Sequence, residues 1–116
     1  MSVKMTTRQV GDVTVIDAVG RITLGDGAST FRDTVRNLAA SGHKKLLLNL
    51  AEVSYIDSSG IGELVGAFTS VRGQGGQLKL LNPVVKVVSV LRITRLDHLF
   101  PVETDEAAAI QSFSKP

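Results

Sequence analysis

Apolar positions along the chain change their period several times, and each change marks an element. Val3, Met5 and Val10 sit loosely in a polar run, Gly11-Asp12 makes a turn, and Val13 to Val19 is rich in β-branched residues, which predicts a hairpin. Gly20 to Gly27 is a glycine-punctuated loop. Ala28, Phe31, Val35, Leu38 and Ala39 then recur at helical spacing, with Asp26 as the expected N-cap and Gly42 as a C-cap. Leu46 to Leu50 is short and apolar on both faces, the pattern of a central strand with helices packed over it. Ile61, Leu64, Val65, Phe68 and Val71 form the stripe of a second helix, stopped by Gly73 to Gly76.

Gln77 to Leu81 reads as another strand, and Asn82-Pro83 as an N-cap followed by proline in the first helical position. The valine-rich run behind it is expected to be helical, because Val84, Val87, Val88 and Leu91 keep helical spacing. Leu99 to Val102 predicts a short edge strand, where proline is tolerated, and Thr104-Asp105-Glu106 opens a last helix carrying Ile110 and Phe113. The expected order is ββαβαβαβα: an α/β fold with a mixed sheet of about five strands and about four helices against it. No linker, repeat or low-complexity tract divides the chain, so residues 1–116 are expected to form one domain.

Composition narrows the function classes. At 116 residues, 43% hydrophobic and 21% charged, the chain can bury its own core without staples, which fits the absence of cysteine. The net charge is only +2, the cations are scattered, and aromatics are 4% with no Trp, so a nucleic-acid groove is not expected. Met1 to Val10 has no apolar core of a signal peptide, and no apolar run approaches the ~20 residues of a membrane span, so the expected location is cytoplasmic. Two lone histidines make a poor metal site, and no cofactor or metal is expected.

The stretch that carries chemistry is Val53-Ser54-Tyr55-Ile56-Asp57-Ser58-Ser59-Gly60-Ile61-Gly62-Glu63-Leu64, at the start of the second helix. A helix cap accounts for one of Asp57, Ser58 and Ser59, but not for two serines followed by Gly60 and Gly62 inside the first turn. Each of those glycines costs about 0.5–1 kcal/mol relative to alanine, and bare backbone there offers a surface on which a partner can lie closely. A hydroxyl at a helix N-terminus also suits phosphate, because free N–H groups and the helix dipole favour negative charge. On the residues alone, a regulatory phosphosite and a plain helix cap both remain open.

The run Leu48-Asn49-Leu50 followed by Val53 to Gly62 resembles the signature of STAS domains in anti-sigma factor antagonists, and nearly the whole chain follows that family's order of elements. Gly73 to Leu78 and Leu96 to Val102 look like the family pattern too. The resemblance implies a STAS fold, with Ser59 as phosphate acceptor and Asp57, Ser58, Gly60, Ile61 and Gly62 flanking a contact surface, joined by Thr23 and Asp26 from the glycine-rich loop. It implies two partners: an anti-sigma factor serine kinase, held by the unphosphorylated antagonist so that the sigma factor is freed, and a serine phosphatase that removes the phosphate. The antagonist itself would catalyse nothing.

Two departures stand out. Many antagonists carry an acidic residue soon after the glycine matching Gly20; here the loop reads Arg21-Ile22-Thr23-Leu24-Gly25-Asp26, about one residue longer, and whether Asp26 replaces that acid stays open. Arg95 stands where glycine is common. Two rival functions use the same residues or the same fold. A serine hydrolase using Ser58 or Ser59 with His43 or His98 lacks the nucleophile-elbow pattern, and both histidines read as solvated loop residues. A STAS scaffold of a stress-signalling complex, or a cytosolic accessory of a lipid or anion transporter, fits the same fold.

Overall fold

Strand order decides where the helices lie. The computed structural model describes residues 3–114, so the ends of the expected domain, residues 1–2 and 115–116, lie outside the described residues. Strands β1 (Val3–Val10) and β2 (Val13–Ile22) pair antiparallel across Gly11-Asp12. Helix α1 (Asp26–Ala40) leads to β3 (Lys45–Ile56), α2 (Ser58–Gly73) to β4 (Gln77–Leu81), and α3 (Val85–Ile93) to β5 (Val102–Glu103), with α4 (Glu106–Ser112) last. The expected ββαβαβαβα order is the observed one.

The five-stranded sheet runs β1-β2-β3-β4-β5, and β2 to β5 are mutually parallel. Each crossover therefore steps to the next strand in the same direction, and a constant right-handed sense puts α1, α2 and α3 on one face. There Phe31, Val35, Leu64, Phe68, Val87 and Leu91 pack on Ile16, Leu46, Leu48, Leu78 and Leu80. Fully burying each such side chain is worth about 1.5–3 kcal/mol, so this face holds the fold together. On the other face α4 alone seals Val13, Val15, Leu47 and Leu81 with Ala109 and Phe113. Arg8 ties it down by bridging Asp17 and Glu106.

Several boundaries differ from expectation. Strands β2 and β3 run on to Ile22 and Ile56, through segments expected as loop, because the two pair along that length with register shifts after Asp17 and after Gly20. The N-cap of α1 is Gly25 rather than Asp26: the backbone there sits at φ 94, a region natural to glycine, and Asp26 is the first helical residue. Asn82 does not cap α3 and Pro83 does not start it. Asn82 takes a left-handed φ of 51, the cap is Val84, and the helix opens at Val85. The edge strand is Val102–Glu103, while Phe100 turns into the core to meet Phe68 edge-on at 5.1 Å. Arg95 has a φ of 60 at the end of α3, the conformation that glycine adopts freely.

Candidate functional site

Where β3 ends, an extended chain must become a helix, and Asp57 makes that change possible. Its backbone is still extended, while its side chain accepts a 2.9 Å hydrogen bond from the Gly60 N–H, one of the donors a helix start leaves without a partner. The second carboxylate oxygen accepts from the Leu24 N–H at 2.9 Å, and the Asp57 N–H donates to the Ile22 carbonyl at 3.3 Å. One side chain thus joins the loop after β2 to the first turn of α2. The Gly60 and Leu24 amides hold the Asp57 carboxyl below the usual carboxylate range.

That shift has a pH consequence. A depressed folded-state value means the charged carboxylate stabilises the fold above its unfolded value, about 3.9, and the contribution is lost as pH falls through the lower folded value. Asp57→Ala is expected to be less stable at pH 7 by about 1 kcal/mol and to lose less than the wild type between pH 7 and pH 3. Urea unfolding at the two pH values checks this. The acid sensitivity will shrink rather than vanish, because Asp17 and Glu106, both held low by Arg8, titrate in the same direction.

Ser58 and Ser59 occupy the first two helical positions; Ser58 is exposed and Ser59 half-buried. Thr23 is half-buried with its carbonyl accepting from the Ala28 N–H at 2.9 Å, and Asp26 is exposed at the start of α1. The structure therefore brings Thr23, Asp26, Asp57, Ser58 and Ser59 to one edge of the sheet, where parallel strands end and α/β folds commonly bind their ligands. Gly62 is exposed on the same helix, with nothing near the position a Cβ would take.

Gly60 and Ile61 depart from their expected place on a contact surface. Both are buried. A Cβ on Gly60 would collide with the Ile22 carbonyl oxygen and come within 2.7 Å of Ile56 Cγ1, so this glycine lets α2 close on the sheet rather than bare itself to a partner. Leu24, missed in the sequence pattern, is 79% exposed and held in place through its amide by Asp57. Its signal was an apolar side chain inside an otherwise polar, glycine-rich loop.

The hydrolase constellation does not assemble. His43 precedes β3 and His98 precedes β5, so both lie at the edge where parallel strands begin, the length of the sheet away from the serines. His43 is also not a solvated loop residue, since its Nδ1 lies 2.8 Å from the hydroxyl of buried Thr14. His98 is exposed. Among the described residues no cluster of His, Asp or Glu is placed to hold a metal ion, and no helix is long and apolar enough to cross a membrane.

Comparison with known proteins is consistent across sequence and structure. The family model described as STAS domain matches residues 4–109. The anti-sigma-B factor antagonist of Bacillus subtilis is 34% identical over 84 residues, covering 72% of this chain and 76% of that one. A Thermotoga maritima crystal structure, described as a candidate anti-sigma factor antagonist, superposes with a TM-score of 0.88 at 26% identity, over 96% of this chain and 95% of that one. The Bacillus cell fate determinant SpoIIAA in its phosphorylated form shares the fold at 22% identity, with a TM-score of 0.72 over 94% of this chain and 99% of that one.

Proposed function

This chain belongs to the STAS domain family, and from that premise we propose that it works as an anti-sigma factor antagonist switched by phosphate at the Ser58-Ser59 turn. The unphosphorylated chain binds an anti-sigma factor serine kinase in the cytoplasm and frees the sigma factor. The kinase then transfers the γ-phosphoryl group of ATP to a serine Oγ: the Oγ–P bond forms, the bond to ADP breaks, and the hydroxyl proton passes to a base on the kinase. A serine phosphatase reverses the change by hydrolysis. The chain supplies an acceptor and a docking face, and the chemistry belongs to its partners.

The observation that carries this reading is the presentation of a hydroxyl pair on the first turn of α2, clasped from behind by Asp57. The family resemblance points to Ser59 as acceptor. Both hydroxyls are reachable at the start of the helix, Ser58 exposed and Ser59 half-buried. Thr23, Asp26, Asp57 and Gly62 frame the same face, with Leu24 as an apolar contact at its edge.

The test is to incubate the full chain with ATP and the anti-sigma factor kinase, and to map phosphate by mass spectrometry in wild type, Ser58→Ala and Ser59→Ala. Phosphate is expected on the wild type and Ser58→Ala and absent from Ser59→Ala. The opposite pattern moves the acceptor to Ser58. Equal phosphate in both variants, or none in the wild type, rejects the switch at this turn.

A further inference from the structure

At the same edge of the sheet as the serine turn lies an open hollow of about 430 Å³ lined by Arg21, Ser54, Tyr55 and Lys86. Arg21 and Tyr55 are partners in the β2–β3 register, and the Arg21 guanidinium lies 5.9 Å from the centre of the Tyr55 ring, an aromatic seat that preorients the cation. Lys86 comes from the first turn of α3, which contains no acidic residue. A lysine there works against the helix dipole, so its charge is poorly placed for the stability of the chain alone. Neither Arg21 nor Lys86 takes part in any ion pair among the described residues.

Two unneutralised cations therefore share one hollow whose lining contains no carboxylate. All three strand-to-helix loops that follow β2, β3 and β4 meet at this edge, which is why residues so distant in sequence converge. Tyr55 precedes Ser58 by three residues, so their Cα atoms are at most about 11 Å apart. The hollow and the serine turn lie at the same edge of the sheet.

We infer that Arg21 and Lys86, seated by Tyr55, form a socket for carboxylate side chains of the anti-sigma factor, and that this socket helps to set which kinase the chain recognises. The inference rests on the proposed antagonist function and names the partner's chemistry. Charge complementarity selects an acidic occupant. The shape selects a protein over a free anion: Arg21, Ser54, Tyr55 and Lys86 are all exposed, whereas small-ligand sites enclose most of the ligand's surface.

The experiment measures the affinity of the unphosphorylated full chain for its anti-sigma factor kinase by titration calorimetry at low and high salt. Arg21→Glu and Lys86→Glu are each expected to weaken binding about tenfold and to flatten its salt dependence. Arg21→Lys should retain most of the affinity, and Lys44→Glu, at the opposite edge of the sheet, should change nothing. Affinities of both reversals within about twofold of wild type, while phosphorylation still abolishes binding, overturn the socket and leave the antagonist function standing. A kinase that does not bind the wild type at all removes the antagonist function and the socket with it. Inorganic phosphate titrated by NMR is expected to leave the Arg21 and Lys86 signals unsaturated. Saturation below about 1 mM would make the hollow a small-anion site and also overturn the inference.

Discussion

Gly60→Ala is expected to destabilise the chain by about 3 kcal/mol and lower its melting temperature by roughly 10 °C or more. The added methyl would strike the Ile22 carbonyl oxygen, which belongs to backbone and cannot rotate away, and would press on Ile56 Cγ1 at 2.7 Å. Ile22 and Ile56 are each 1% exposed, so neither can yield outward. Relief requires α2 to lift from the sheet, and lifting α2 stretches the bond from the Asp57 N–H to that same Ile22 carbonyl. Gly62→Ala, two residues along, has the opposite expected sign. A Cβ there meets nothing within 4 Å, so the substitution gains about 0.5–1 kcal/mol of helix propensity. Thermal unfolding of the two variants side by side checks the contrast. If Gly62 lies under the docked kinase as proposed, Gly62→Ala will also bind it less tightly while folding better, a split that no purely structural role produces.

The contrast between these glycines also shows where the sequence was informative. Element identity and order followed from period together with turn, cap and β-branched signals, since strands buried on both faces and helices with one apolar stripe leave different spacings. Gly60 carries a signal in the sequence: it falls on the stripe that continues through Leu64, Ala67 and Val71, all buried, and Gly62 does not. Caps were harder. Asp26 and Asn82 have the right side chains, but a cap also needs an extended backbone and a particular approach of the preceding chain. The turn at Gly25 and the left-handed Asn82 take those conditions away. Asp57 meets them because the end of β3 delivers it extended beside β2. The basic hollow could not be read from the chain at all. Arg21, Tyr55 and Lys86 come from three elements, and only the sequential strand order places their ends side by side.

Phosphorylation at Ser59 is expected to weaken kinase binding about 100-fold, and Ser59→Glu only about tenfold, because the two differ in charge. A phosphoserine brings about 1.5–2 negative charges, comparable with the two positive charges of Arg21 and Lys86 at the same edge of the sheet. At ~10 Å and an effective dielectric of ~20, a dianion opposes a carboxylate with ~3 kcal/mol, which one Debye length of physiological salt reduces to about 1 kcal/mol. Each partner carboxylate in the socket then loses roughly that much by repulsion, and the neutralised cations cease to attract it. Glutamate has one charge instead of two, so it repels about half as strongly and leaves one cation uncancelled. Asp57 cannot buffer the change, since its carboxylate is already committed to Gly60 and Leu24. Raising the salt should therefore narrow the gap between phosphorylated and unphosphorylated chains, whereas a steric block by the phosphate group would keep it constant. Calorimetry of the three forms at two ionic strengths separates the mechanisms, and a gap indifferent to salt would reject charge as the origin of the switch.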